Sequence, residues 1–136
     1  MIAAEMMSKQ PATILATASV ADAVEVLESM RVRHIPVVDG EGVLVGMISD
    51  RDLGPLMTAF IAGAEVERMA VPPSERTVAD LMSTDPVAVE EDADVSETID
   101  VLLDERVGAV PVVDGADHVV GIISYVDVLA ALRPTT

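Results

Sequence analysis

The apolar residues of this chain follow two patterns, short β-branched runs and positions at helical spacing. The runs at residues 35–38 and 43–48 are rich in Val and Ile, which is typical of short buried strands. The pair Asp39-Gly40 lies between these runs and predicts a turn there. Upstream, apolar residues three or four positions apart predict one face of an amphipathic helix: Val20, Val24, Leu27 and Met30.

The second half of the chain repeats this pattern. The hexapeptide "IPVVDG" at residues 35–40 returns as "VPVVDG" at residues 110–115, an offset of 75 residues. The same offset, without a gap, gives 20 identities over the 51 positions from residue 3 to residue 53. Chance would produce only a handful, so the chain contains a true internal repeat.

Each copy shows the same predicted order of elements, β-α-β-β-α. A Pro-led run predicts the first strand, and capping signatures predict the helix start, at Ser19 with Asp22 and at Asp94 with Glu97. The apolar helix positions of the second copy are Val95, Ile99 and Leu102, with Arg106 in the last turn. The last helix of each copy is expected to begin near Asp52 or Asp127.

These patterns predict an α/β (α+β) fold of two β-α-β-β-α repeats packed sheet to sheet with pseudo-two-fold symmetry. A repeat of 51 residues can build only a marginal hydrophobic core by itself. Two copies can pack together and bury the sheet faces that their own helices leave uncovered. We expect a first repeat with a leading short helix at residues 1–64, a connector at 65–77 and a second repeat at 78–136. Pro72 and Pro73 should end the last helix of the first copy, and Thr77 with Asp80 should cap the next one.

Charge and composition narrow the function. The net charge is −16, with 8 Lys and Arg against 24 Asp and Glu, so nucleic acids and anionic membranes are not expected partners. The excess of acid is greater in the second copy: residues 3–53 carry 8 acidic and 4 basic side chains, and residues 78–128 carry 13 and 1. There is no apolar run of about 18 residues and no signal-like start, so a cytoplasmic protein is expected.

Catalytic and metal-binding patterns are not expected. The chain has no Cys, and its two histidines, His34 and His118, lack the neighbours of a helical ligand pair. The serines have no credible His and Asp partners. We therefore predict that the protein is not an enzyme, has no metal site and has no obligatory cofactor.

The segment "GMISDRDL", residues 46–53, contains groups suited to a nucleotide. Ser49 offers a hydroxyl, Arg51 a permanent cation for phosphate, and Asp52 a carboxylate that can accept hydrogen bonds from a ribose diol. Spacing alone leaves an alternative open, in which Ser49 and Asp52 only cap the helix. The second copy reads "GIISYVDV", so Ser124 and Asp127 are kept while Val126 replaces Arg51.

The tandem motif, an apolar residue followed by Pro-Val-Val-Asp-Gly and then by Gly-x-x-Ser-x-x-Asp, resembles the cystathionine-β-synthase (CBS) domain pair in its stand-alone two-repeat form. The resemblance covers nearly the whole chain. It implies binding of AMP, ADP, ATP or S-adenosylmethionine, and assembly into a homodimer. It also implies mixed sites, in which the Ser and Asp of one repeat face the residues just before the strand Pro of the other repeat.

The resemblance carries over to the following residues. One implied site combines Ser49, Arg51 and Asp52 with Val87, Gly108 and Ala109. The other combines Ser124 and Asp127 with Ala12, Arg33 and His34. The expected function is a regulatory module that senses an adenine nucleotide and acts on an unknown partner protein; the alternative is a ligand-free dimerisation scaffold. Dimerisation is also expected because the last helices carry apolar residues that need cover: Leu53, Leu56, Met57 and Phe60 in one, Val128, Leu129 and Leu132 in the other.

Overall fold

The computed structural model describes residues 1–63 and 72–134 and shows a mixed α+β protein with two four-stranded sheets. The chain divides into two compact units. The first-repeat unit comprises Ala12–Glu41 and Val45–Asp85, and the second-repeat unit comprises Met1–Pro11, Gly42–Leu44 and Pro86–Thr136.

Most elements of the two units correspond one to one along the chain. The first-repeat unit contains β2 (Ile14–Leu15), α2 (Val20–Met30), β3 (His34–Val38), β4 (Leu44–Ser49), α3 (Asp50–Ile61), a 3-10 turn (Pro73–Glu75), α4 (Val78–Leu81) and β5 (Ser83–Thr84). The second-repeat unit contains α1 (Ala3–Met6), β1 (Ser8–Lys9), β6 (Val89–Glu90), α5 (Val95–Glu105), β7 (Ala109–Val113), β8 (Val119–Ser124) and α6 (Tyr125–Ala131).

Each compact unit includes the leading segment of the other repeat, and the repeat boundaries expected from the sequence stay a prediction. The strand order is β2-β3-β4-β5 in one sheet and β1-β8-β7-β6 in the other. Strand β1 pairs antiparallel with β8, and β5 pairs antiparallel with β4. A strand's partner is set by edge hydrogen bonds and packing, which sequence periodicity does not reveal. Most of the expected connector lies outside the described residues.

The long helices of the two units begin at different kinds of cap. Ser19 Oγ accepts from Asp22 N at 3.0 Å, as predicted for α2. At α5, Asp94 accepts from Ser96 N and Ser96 Oγ. Within the described residues, the Glu97 side chain does not make the predicted capping hydrogen bond. The nearer Ser96 offers two donors to the carboxylate, and these bonds hold the pKa of Asp94 below its ordinary value.

The Asp-Gly pairs do not form tight two-residue turns. Asp39 Oδ1 accepts from Glu41 N, and Asp114 Oδ1 accepts from Ala116 N and His118 N, so each Asp organises a longer loop. The left-handed backbone falls on Gly42, at φ 83°, and on Asp117, at φ 62°. An Asp side chain that bonds to backbone N–H groups ahead of it replaces the hairpin turn that the sequence suggested.

Each unit has its own buried core. In the first-repeat unit it includes Ile35, Val37 and Ile48 with α2, and in the second-repeat unit Val110, Val112 and Ile123 with α1. Leu53 and Val128, expected to need cover from a partner, lie inside these cores. Leu56 and Met57 pack against the first-repeat core, Leu129 and Leu132 are exposed, and the side chain of Phe60 lies outside the described residues.

Helix α3 begins at Asp50, two residues earlier than expected, directly after the last residue of β4. It is kinked at Gly54, where φ is 36° and ψ is −116°. Only the first turn of α3 therefore lies between the strand and the kink, so the dipole at this N-terminus is that of one turn and not of a long helix. Helix α6 likewise begins at Tyr125, two residues before Asp127. Within the described residues, no helix has the length and apolar character to cross a membrane.

Candidate functional site

In each unit, the predicted site residues meet at one end of the sheet. Strands β2 and β3 run parallel, so Ala12 and His34 both lie where these strands begin. The adjacent strand β4 ends there at Ser49, and Asp50 N donates to Arg33 O at 3.0 Å. The first-repeat unit thus gathers Ala12, Arg33, His34, Ser49, Arg51 and Asp52. We call these residues the first-repeat cluster.

The second-repeat unit builds the equivalent end in the same way. Strands β6 and β7 are parallel, and Ala109 is the Cα partner of Ser124 across β7 and β8. Tyr125 N donates to Gly108 O at 3.1 Å. This unit therefore gathers Val87, Gly108, Ala109, Ser124 and Asp127, which we call the second-repeat cluster. The mixed combinations across repeats, which the resemblance implied, stay a prediction.

The Ser and Asp of the first-repeat cluster are joined by a helix cap. Asp52 Oδ2 accepts from Ser49 N at 2.8 Å and from Ser49 Oγ at 3.2 Å. This geometry fixes the carboxylate over the first turn of α3 and uses one of its two oxygens. An ionised carboxylate can accept about four hydrogen bonds, so capping leaves acceptor capacity on Asp52.

The second-repeat cluster has a reciprocal capping box. Asp127 Oδ2 accepts from Ser124 N at 2.8 Å, and Ser124 Oγ accepts from Asp127 N at 3.2 Å. The Ser hydroxyl therefore has a different role in each cluster. It donates to the carboxylate in the first-repeat cluster and accepts from the backbone in the second-repeat cluster. In both clusters the Ser and Asp form the helix cap that the sequence left open as an alternative to ligand binding. These capping bonds do not exclude a ligand.

His34 gives the first-repeat cluster a group that titrates. Burial lowers the pKa of His34, and the Arg33 guanidinium lowers it further, while the carboxylates of Asp50 and Asp52 act to raise it; burial is the largest of these effects. The imidazole therefore favours its neutral form. The position equivalent to His34 in the second repeat is Ala109, which is buried and cannot titrate.

The guanidinium groups of Arg33 and Arg51 are available for a ligand. Both residues are exposed, and the ion pairs found among the described residues include neither of them. The second-repeat cluster offers Gly108 and Val126 at the equivalent positions. A guanidinium presents several N–H donors in a planar fork that matches an anionic oxygen pair, so only the first-repeat cluster can bind phosphate in this way.

Sequence reasoning did not select two residues that the structure places in these clusters. Asp50 donates its backbone N–H to Arg33 O and contributes a carboxylate beside His34. Tyr125, at the equivalent position, donates its backbone N–H to Gly108 O and exposes half of its side chain. Each of these two residues directly follows the Ser of the motif, and this position was the sequence feature that could have identified them.

A separate open depression of about 280 Å³ lies on the second-repeat unit. Its lining contains four carboxylates and none of the predicted site residues: Glu90, Glu91, Asp92, Val113, Asp114 and Gly115. Carboxylates repel phosphate, so this surface does not suit a nucleotide. Over residues 1–63 and 72–134, no group of three or more His, Asp or Glu side chains is placed to hold a metal ion.

Comparison with known proteins agrees with this organisation. The inosine-5′-monophosphate dehydrogenase of Methanocaldococcus jannaschii is 30% identical over 125 residues, which make up 92% of this chain but 22% of that enzyme. The chain spans 42% and 22% of two further curated relatives, so it matches less than half of these proteins.

Two solved structures share the fold across the chain. CBSX2, a CBS-pair protein of Arabidopsis thaliana, was crystallised in complex with AMP; it is 26% identical, with a TM-score of 0.78, and the match covers 96% of this chain and 94% of that one. The CBS domain pair of the protein MJ0100, in complex with 5′-methylthioadenosine and S-adenosyl-L-methionine, is 25% identical, with a TM-score of 0.79, and the match covers 98% and 100%.

The family model of the CBS domain matches two segments of this chain, residues 3–53 and 78–134. These segments contain both copies of the internal repeat and both Ser-Asp caps. The chain belongs to the CBS domain family, as a tandem pair.

Proposed function

We propose that this protein is a regulatory, non-catalytic module that binds an adenosine-containing ligand: AMP, ADP, ATP or S-adenosylmethionine. The observation that carries the proposal is the placement of a capped Asp carboxylate beside the start of the central strand in each unit. Similar CBS pairs crystallised with AMP and with S-adenosyl-L-methionine and 5′-methylthioadenosine support the ligand class.

The carboxylates of Asp52 and Asp127 hold the ribose in this proposal. In both, the Oδ2 atom is fixed by the backbone N–H of the motif Ser. A carboxylate held in one orientation loses little freedom when a cis-diol binds, and its remaining acceptor sites can take the two hydroxyl protons. Capping and ribose binding therefore use different parts of the same side chain.

Isothermal titration calorimetry with AMP, ADP, ATP and S-adenosylmethionine tests this proposal. We expect binding of at least one ligand, and we expect Asp52→Ala or Asp127→Ala to weaken it. Asp80→Ala is the matched control, because Asp80 Oδ2 caps Thr77 N in the same way in α4 and lies outside both clusters. Absence of heat and of a thermal shift with every ligand at millimolar concentration would contradict the proposal.

The module is also proposed to form a homodimer. Helix α6 and its C-cap residue, Leu132, leave four large side chains more than half exposed: Tyr125, Val126, Leu129 and Leu132. Contiguous apolar surface commonly meets a partner, and a two-fold interface is the most frequent solution. Light scattering at tens of micromolar should give twice the mass of the chain, and a monomer mass would contradict a dimer. In the dimer, ligand binding would change the affinity for a partner protein that this module regulates.

A ligand-free dimerisation scaffold is the second candidate function. It is favoured by the capping bonds themselves, because they give Asp52 and Asp127 a structural role without any ligand. In that case Asp52→Ala would lower stability by about 1 kcal/mol, the usual value of a cap, and would change no small-molecule affinity. Comparing Asp52→Ala with Asp80→Ala separates the two functions, since only the sensing function predicts different ligand binding for these variants.

A further inference from the structure

We propose that Met7 and Met82 are oxidation-sensitive sites, at which a peroxide converts the thioether to a sulfoxide and weakens the hold of each leading segment on its sheet. The chain has 8 Met and no Cys, so thioethers are its only sulfur groups. Oxidation to the sulfoxide turns a flexible apolar side chain into a polar one. Neither Met belongs to the first-repeat or the second-repeat cluster, so this modification does not require a bound ligand.

The two methionines occupy equivalent positions, each between a short helix and a two-residue edge strand. Met7 is the C-cap of α1 and directly precedes β1, and Met82 is the C-cap of α4 and directly precedes β5. Their backbones match, with φ −71° and ψ 150° at Met7 and φ −66° and ψ 154° at Met82. Strands β1 and β5 form edges of the two sheets. Each Met therefore lies where a leading segment joins its sheet.

Each thioether lies against a glycine of the neighbouring strand. A Cβ at Gly46 would lie 2.6 Å from Met82 Sδ and 3.1 Å from Met82 Cγ. At Gly121, a Cβ would meet Sδ and Cγ of Met7 even more closely. The sulfur thus occupies the space that the side chain of a larger residue would fill. Both repeats keep this Met and this Gly, although most other equivalent positions differ.

The surroundings of each sulfur favour the thioether over the sulfoxide. Met7 packs against the second-repeat core, and Met82 packs against the first-repeat core. Gly121 is the Cα partner of Lys9 on one side and of Val112 on the other, so it lies inside the sheet. A sulfoxide oxygen adds a polar atom to an apolar contact that has no room for a methyl group. Rotation of the sulfoxide into solvent would avoid the clash but would leave the glycine uncovered, so either arrangement loosens the leading segment.

Hydrogen peroxide supplies the oxygen atom in this modification. The peroxide O–O bond breaks, an S–O bond forms at Sδ, the sulfur loses two electrons, and the second peroxide oxygen leaves as water. Met7 and Met82 are both partly exposed, so a small oxidant in solvent can approach them. The chain also offers a more protected methionine and a more open one for comparison, because Met6 is 8% exposed and Met30 is 58% exposed.

The test treats the whole chain with hydrogen peroxide and follows each Met by peptide mass spectrometry, together with the midpoint of urea unfolding. We expect Met30 to be oxidised first, without a change in the midpoint. Sulfoxide formation at Met7 and Met82 should lower the midpoint by about 0.5–1 M urea. Amide hydrogen exchange in segments 1–9 and 77–85 should increase as the midpoint falls, because these segments lose their hold on the sheets.

Variants assign the effect to the two residues. The double variant Met7→Leu/Met82→Leu keeps apolar side chains that peroxide does not oxidise, so its midpoint should not respond to peroxide. Met30→Leu is the matched control and should keep the full response. Met82→Gln places a polar side chain against Gly46 and should lower the midpoint without any peroxide, whereas Met30→Gln should not. The Gln variants decide the question if the branched Leu side chains prevent folding.

Three results would overturn this inference. The first is an unchanged midpoint after Met7 and Met82 have both become sulfoxides. The second is complete oxidation of Met30 while Met7 and Met82 both stay reduced at every peroxide concentration that leaves the chain folded. The third is a peroxide response of the double Leu variant as large as that of the wild type. None of these results changes the nucleotide titrations, so failure here is distinct from failure of the proposed function.

Discussion

The two units have nearly the same backbone and different chemistry at the same places. Three pairs of equivalent residues adopt left-handed backbone: Gln10 and Asp85 at φ 48° and 49°, Arg31 and Arg106 both at 54°, and Gly42 and Asp117 at 83° and 62°. Most of these pairs do not share a residue type. The backbone conformation therefore follows from the packing of the repeated elements, because Gln, Arg and Asp take up the left-handed region only when their surroundings require it.

The units differ in individual side chains of the helix caps, of the core and of the candidate site. Ser19 caps one long helix, and Asp94 caps the other. Ala23 lies in one core, and Thr98 takes the equivalent position in the other. In the alignment of the repeats, Arg51 corresponds to Val126, and His34 corresponds to Ala109. A duplicated framework thus tolerates substitution at caps, at single core positions and in the candidate site. Each of these differences can be tested by exchanging residues between equivalent positions.

The largest effect is expected at the equivalent glycines Gly46 and Gly121. A Cβ at Gly46 would lie 2.8 Å from Ser83 O, a backbone atom held by the pairing of β4 and β5, and close to Met82 Sδ. A Cβ at Gly121 would meet Sδ, Cγ and Cβ of the Met7 side chain, and none of these three atoms belongs to the backbone, so the side chain can rotate away. Gly46→Ala should therefore destabilise the protein by about 1–3 kcal/mol and Gly121→Ala by less. Urea unfolding measures both, and equal losses would contradict the distinction.

The next effect concerns the core position shared by Ala23 and Thr98. Both side chains are fully buried, and Thr98 Oγ1 has no hydrogen-bond partner within the described part of the chain. Thr98→Val keeps the shape and removes the unpaired hydroxyl, so it should stabilise the protein by about 1–2 kcal/mol. Ala23→Val should instead destabilise by about 1–3 kcal/mol, because its core is packed around a methyl group. A destabilising Thr98→Val would show that the hydroxyl has a partner in solution.

A smaller effect distinguishes the two motif serines. Ser124 Oγ accepts from Asp127 N and so satisfies a free helix N–H group, whereas Ser49 Oγ donates to the Asp52 carboxylate. Ser124→Ala should cost about 1 kcal/mol, the usual value of an N-cap, and Ser49→Ala a few tenths. Chemical denaturation of the two variants, in the absence of any nucleotide, gives this comparison. A larger loss for Ser49→Ala would reverse the assignment of the two hydroxyl orientations.

The smallest effect is the pH dependence that His34 gives to the first-repeat unit. Because burial lowers the pKa of His34 below its ordinary value of 6.5, the unfolded chain takes up a proton at this residue before the folded chain does. Protonation of His34 therefore favours the unfolded chain. The free energy of unfolding should be unaffected by His34 above about pH 6.5 and should decrease as the pH falls below that value. Unfolding midpoints at about pH 7.5 and about pH 5.5 measure the decrease. His34→Ala, which introduces the residue found at position 109, should reduce it.

Most of the framework could be predicted from the sequence. The internal repeat, the strand that ends at Ser49, the helix capped by Ser19 and the mixed α+β class follow from patterns within about 50 residues, and the structure confirms them. The CBS family is confirmed by the match over residues 3–53 and 78–134. The homodimer and the choice of adenosyl ligand stay predictions, because they depend on molecules other than this chain.

The sequence by itself determined which donor and acceptor groups stand at the two strand-to-helix junctions, since the side chains of Ser, Arg and Asp have fixed hydrogen-bonding properties. Tertiary structure decided which of them lie together. The bond from Asp50 N to Arg33 O joins the end of β4 to the residue before β3, and the pairing of β1 with β8 and of β5 with β4 places each leading segment on the other repeat. These pairings join residues distant in the chain through backbone groups that every residue has, so side-chain patterns could not reveal them.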